Sequence, residues 1–139
     1  MLERAIEIAV EAHKGQVDKG GSPYILHPLR VMMSVHGELE KIVAVLHDVV
    51  EDSNWTFEAL LAEGFSIEVI EALKSVTKSS DNEDYDSFIQ RAIGNPIGRK
   101  VKIADIRDNL DVTRIPELGE KDLLRISKYK KALKRLHEK

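Results

Sequence analysis

The sequence predicts an all-α fold, a compact single domain spanning residues 1–139. Three observations predict it: apolar residues recur at helical spacing almost throughout, alternating apolar and polar runs are nearly absent, and helix start and stop signals punctuate the chain at short intervals. The length suits one domain, since single domains usually run to about 100–200 residues and at this size bury roughly 68–70% of their extended surface.

Leu2, Ala5, Ile6, Ala9 and Val10 form the apolar stripe of a first helix. Lys14 to Pro23 then interrupts the pattern with Gly15, Gly20, Gly21 and Pro23, and reads as an exposed loop. A second helix is expected from Leu26 to His36 and a third from Leu39 to Val50, the latter with Ile42, Val43, Leu46, Val49 and Val50 inward and the polar run Glu51-Asp52-Ser53-Asn54 as its stop. Thr56 is suited to cap a short helix through Leu61, and Ser66 another that ends near Val76. Asp84 to Ile93, Pro96 to Leu110 and Glu120 to His137 complete about eight helices, with Asn95 before Pro96 and Gly119 before Glu120 as punctuation. No repeat, low-complexity tract or linker is visible.

Composition excludes several chemistries. There is no cysteine, so disulfides, thiolate metal sites and cysteine nucleophiles are ruled out, and any metal must sit on histidine and carboxylate. The 42% hydrophobic and 32% charged fractions are ordinary for a globular protein, and no apolar run approaches the roughly 20 residues of a membrane span. Met1-Leu2-Glu3-Arg4 leads straight into a helix without an export signal, so the expected location is cytoplasmic. A net charge of −3 argues against a nucleic acid polymer as partner and leaves room for a local basic pocket.

Chemistry concentrates in three distant segments: Pro23 to Pro28, Leu46 to Asp52 and Val101 to Asn109. On a helix His47 and Asp48 would point about 100° apart and straddle a metal, with Glu51 and Asp52 one turn further on the same two faces. Asp48 stands among Ile42, Val43, Ala44, Val45, Leu46, Val49 and Val50, where an unpaired carboxylate would be costly. Asp105 repeats the pattern among Val101, Ile103, Ala104 and Ile106, and His27 is fixed before Pro28 at a helix entrance. Two imidazoles and two carboxylates, His27, His47, Asp48 and Asp105, form a four-ligand set. Acidic Glu51 and Asp52 at a helix C-terminus oppose the helix dipole, a misplacement that favours a functional role.

His27, then His47-Asp48, then Asp105 resemble the H…HD…D signature of the HD phosphohydrolases. With Ala12-His13-Lys14-Gly15-Gln16, Pro23-Tyr24-Ile25-Leu26-His27-Pro28, Leu46 to Asp52 and Val101 to Asp105, the chain resembles the hydrolase domain of the RelA/SpoT family along essentially its whole length. Because nothing follows residue 139, the resemblance points to the stand-alone small alarmone hydrolases. It implies an HD-type helical bundle that hydrolyses guanosine 3′,5′-bis(diphosphate), ppGpp, at the 3′ position and releases pyrophosphate. It implies one divalent metal, usually Mn²⁺, with Glu51 and Asp52 as the catalytic pair beside the attacking water. Asn109 matches the asparagine that contacts the ribose, and Lys19 a residue of the substrate site; Lys14 and Tyr24 join them as substrate contacts, with Lys102, Lys78 and Tyr85 as weaker candidates.

The chain departs from the family at two places. Asp18 stands where the long enzymes usually carry an arginine able to stack on guanine, which implies weakened binding of an anionic substrate; Arg107 and Asp108 stand where leucine and histidine are more common. Two alternatives use the same residues: an HD hydrolase of another nucleotide or phosphate ester, and a non-catalytic nucleotide sensor. The second leaves Glu51 and Asp52 without a purpose. Nothing in the sequence signals an oligomeric state.

Overall fold

The computed structural model describes residues 1–138, and among them it contains nine helices and no strand. They are α1 (Leu2–Ala12), α2 (Leu26–Met33), α3 (Glu38–Leu46), α4 (Val49–Asp52), α5 (Phe57–Ala62), α6 (Ile67–Ser75), α7 (Tyr85–Ile93), α8 (Pro96–Asn109) and α9 (Glu120–His137). The caps follow from the sequence: Thr56 Oγ1 accepts from the Ala59 amide, Ser66 Oγ from Val69, and Asn95 Oδ1 from Ile97 and Gly98 just where Pro96 opens α8.

The central element is α3. Ile42 through Leu46 are all buried, so the second half of this helix is apolar on every side, and α1, α2, α6 and α8 pack around it. Close approach of α6 to α8 requires Gly98, since a Cβ there would run into the Ser75 hydroxyl. No helix among the described residues is long and apolar enough to cross a membrane.

Three expectations are corrected. The stripe of α1 is rotated: Ile8 is buried with Ala5 and Ala9, whereas Val10 is 45% exposed. The second helix stops at Met33 rather than His36, because Lys41 Nζ binds the Met32 and Val35 carbonyls and satisfies that end from α3. The third helix is not continuous to Val50. It breaks at His47 and Asp48, which cap α3 and open α4 respectively. Glu51 and Asp52 therefore stand in the first turn of α4, where acidic residues suit the helix dipole rather than oppose it as expected at a helix C-terminus.

Candidate metal centre

Each ligand candidate is placed by a different piece of backbone. His27 is the second residue of α2, with Pro28 behind it in the first turn; His47 and Asp48 occupy the break between α3 and α4; Asp105 lies on the buried face of α8. Because α2 and α8 both pack on α3, the three segments meet. Ligand atoms of His27, His47 and Asp48 lie within 4.8 Å of one another. Asp105 Oδ1 is 2.9 Å from His27 Nε2 and 3.4 Å from His47 Nε2, so the fourth candidate faces the same point.

The tautomers follow from the partners. His47 Nδ1 lies 2.6 Å from the Ala44 carbonyl, which can only accept, so Nδ1 carries the proton and Nε2 faces the cluster. That Nε2 is buried and makes no hydrogen bond, although Asp48 Oδ2 is 3.0 Å away. His27 Nδ1 lies 2.6 Å from Asp108 Oδ2, which likewise leaves Nε2 for the cluster. A buried unpartnered imidazole nitrogen among carboxylates, with no thiolate nearby, is a donor set that fits a divalent metal ion.

Electrostatics agree with a site built for positive charge. Burial disfavours the charged form of His47, yet Asp48 and Asp105 outweigh it and raise its pKa well above the ordinary 6.5; His27 is raised against burial by Asp105 and Asp108. Burial likewise works against ionised Asp105, and Lys102 and His47 pull it well below the carboxylate range all the same. Asp48 falls to about 2 because His47 overcomes its burial. A metal ion here would be held by the neutral histidines, so it would compete with protons at their Nε2 atoms. The stability signs are opposite. Asp48 and Asp108, each lowered from 3.8 to about 2, contribute stability above pH 3.8 that is lost as pH falls toward 2. The raised histidines contribute fully below pH 6.5 and lose that contribution as pH rises through their folded values.

Around the ligands stand residues that the sequence singled out for contact with substrate or quoted within a motif, and that the structure ties to the ligand candidates themselves. Tyr24 donates its hydroxyl to Asp48 Oδ2, and Asn109 Nδ2 donates to Asp105 Oδ1 at 3.1 Å. Lys102 is 9% exposed and reaches Asp105 Oδ2 at 3.0 Å while its ammonium sits 4.4 Å from the Phe88 ring centre. His13, wholly buried, bonds Gln16 at 2.9 Å, and Gln16 Nε2 donates to the Asp52 carbonyl at 3.3 Å. A histidine and a glutamine three residues apart at the end of α1 were the available signal.

Glu51 and Asp52 lie beside the centre and differ. Glu51 Oε1 accepts the Lys78 amide at 2.7 Å, tying the α6–α7 loop to α4. Asp52 Oδ2 is 3.8 Å from His13 Nδ1, and its pKa is raised by burial and by the Asp48 charge.

A cleft of about 460 Å³ opens from His27. Lys19, Tyr24 and Asn109 line it, together with Arg30, Arg114, Arg125 and Tyr129; Lys14 is exposed at the end of α1 and is not among the lining residues. A slightly larger cavity, about 510 Å³, lies between the end of α2 and α8, but it includes none of the four ligand candidates and shares only Asp108 and Asp111 with the cleft. The cleft is therefore the relevant one. Asp18 faces it differently from expectation: its Oδ1 accepts the Gly20 and Ser22 amides, both at 2.9 Å, and so organises the loop. That loop is pressed onto the α8–α9 connection at Gly20, where a Cβ would lie 2.5 Å from the Arg114 carbonyl oxygen.

No family model matches the chain. Curated relatives do. It is 35% identical over 121 residues to a guanosine-3′,5′-bis(diphosphate) 3′-pyrophosphohydrolase of Aquifex aeolicus, covering 78% of this chain and 17% of that protein. It is 33% identical over 127 residues to a probable GTP pyrophosphokinase of Mycobacterium leprae, covering 82% and 16%. The chain thus spans about a sixth of the length of these relatives. A solved structure described with the words "A metazoan ortholog of SpoT hydrolyzes ppGpp and plays a role in starvation responses" superposes with a TM-score of 0.78 over 98% of this chain and 85% of the other, at 22% identity, which establishes the shared fold. Sequence similarity and shared fold agree: the chain is similar to part of these guanosine-3′,5′-bis(diphosphate) 3′-pyrophosphohydrolase and GTP pyrophosphokinase proteins and has the helical fold of that SpoT ortholog.

Proposed function

We propose that this chain is a metal-dependent phosphohydrolase that removes pyrophosphate from the 3′ position of ppGpp, as the names of its relatives suggest. The observation that carries the reading is the convergence of His27, His47, Asp48 and Asp105 at one buried point beside Glu51 and Asp52, at the mouth of a cleft that holds Lys19, Arg30, Arg114 and Arg125. His27, His47, Asp48 and Asp105 hold one divalent ion, with Mn²⁺ taken from the family resemblance. Bound there, such an ion polarises a phosphoryl oxygen and lowers the pKa of water.

The chain's own groups do the rest. Asp52, with its raised pKa and no hydrogen-bonded cation, is the better placed carboxylate to take a proton from the attacking water, and Glu51 orients water while anchoring the α6–α7 loop. Lys19, Arg114 and Arg125 receive phosphates, and Tyr24 and Tyr129 offer ring faces at the cleft wall. Asn109 keeps Asp105 oriented from the cleft side. The substrate is a small nucleotide, and a cytoplasmic location belongs to the same reading.

The test is product analysis with Mn²⁺-loaded protein. GDP and pyrophosphate from ppGpp are expected. Hydrolysis of another nucleotide with no turnover of ppGpp would reject the alarmone assignment and retain the hydrolase, whereas metal binding and nucleotide binding without turnover of any nucleotide would favour a sensor.

A further inference from the structure

The two histidines of the metal centre are held in different ways. His47 is anchored by a backbone carbonyl, that of Ala44, which the end of α3 fixes in place. His27 is anchored by a side chain, Asp108, and is therefore only as well oriented as that carboxylate. Asp108 is itself clamped: Arg30 Nε donates to Oδ1 at 2.8 Å and Arg30 Nη2 to Oδ2 at 3.1 Å, a two-pronged pairing.

The spacing explains how this assembly arises. Arg30 follows His27 by three residues on α2, and Asp108 follows Asp105 by three residues on α8, so each pair shares a helix face. Packing α2 against α8 then forms two rungs, His27 with Asp105 and Arg30 with Asp108, and the His27–Asp108 bond crosses between them. A carboxylate that accepts the Nδ1 proton selects the tautomer with a free Nε2, fixes the ring plane and makes Nε2 a stronger donor.

We propose that Asp108, held by Arg30, is the positioning residue that aims His27 Nε2 at the metal; the proposal rests on the metal-centre reading above.

The experiment is Mn²⁺ titration of the full chain without substrate, with free Mn²⁺ read by its paramagnetic resonance, on the wild type, Asp108→Ala, Asp108→Asn and His47→Ala. Asp108→Ala is expected to weaken Mn²⁺ binding about 10- to 100-fold with one ion still bound, and Asp108→Asn, which keeps an acceptor oxygen, less. His47→Ala is expected to lose the ion. A second readout does not depend on the variants folding: nitrogen-15 spectra of the Zn²⁺-loaded wild type should show His27 protonated at Nδ1. A role confined to packing would lower the melting temperature of Asp108→Ala while leaving Mn²⁺ affinity at the wild-type value, and that result overturns the proposal. So does His27 protonated at Nε2. If His47→Ala also binds Mn²⁺ as the wild type does, the metal centre falls together with its positioning residue.

Discussion

The candidate metal centre and the cation-lined cleft share His27 in their walls yet are built by opposite means. Ligands of the centre come from the packed helices α2, α3 and α8 and from the break before α4, with His27, His47 and Asp105 each under 10% exposed. Apart from Arg30 on α2, the cleft takes its cations from the loop after α1, the α8–α9 connection and the first turns of α9. In the centre, removal of a side chain leaves a buried charge without its partner; in the cleft, water replaces what is lost. The same substitution should therefore cost much more on one side of the wall than on the other.

The sharpest contrast is Asp105→Ala. It removes a ligand candidate and strands the Lys102 ammonium, whose only carboxylate within 4 Å among the described residues is Asp105, so unfolding free energy should fall by about 3–5 kcal/mol in urea titrations and metal content should drop with it. A loss below about 1 kcal/mol would show that Lys102 reaches water and that the centre is softer than its burial suggests.

Next in size is Glu51→Gln compared with Asp52→Asn. Both carboxylates are exposed, so both variants should fold and keep the metal, and turnover should fall by about 10²–10⁴-fold, more for Asp52→Asn. Asp48→Ala should instead lose metal and activity together. Equal metal loss in all three would erase the distinction between ligand and catalytic pair.

On the cleft side, Arg125→Ala should raise KM about tenfold with little change in kcat, and the defect should shrink in high salt, as expected for a contact made equally in ground and transition states. Arg125 is also paired with Asp122 at 2.9 Å, so part of its charge is already engaged.

The smallest effect tests Asp18. Viewed as a free charge in place of an arginine, it predicts that Asp18→Arg improves kcat/KM. With Oδ1 holding two loop amides, the opposite is expected: loss of about 1 kcal/mol of loop order and a modest rise in KM, visible as faster hydrogen exchange at Gly20 and Ser22.

These differences also separate what was legible in the sequence from what was not. Carboxylates among apolar residues are conspicuous, so His47-Asp48 and Asp105 stood out before any fold was known, and the structure brings them and His27 together. The break at His47 was invisible because Val49 and Val50 continue the apolar pattern of α3, and periodicity cannot register a kink that keeps its phase. Arg114, Arg125 and Tyr129 carry no local signal; only the return of α9 past the loop gathers them. Asp108 was visible as a departure, but its meaning depended on Arg30 facing it from α2.

Lys102 has a consequence for the life of the molecule before catalysis. Buried and 3.0 Å from Asp105 Oδ2, its ammonium gives that carboxylate a permanent partner from the chain itself, one that any ion bound there would have to share. An ion at one hundred times its dissociation constant would add about 2.7 kcal/mol of stability to what this internal pair already contributes.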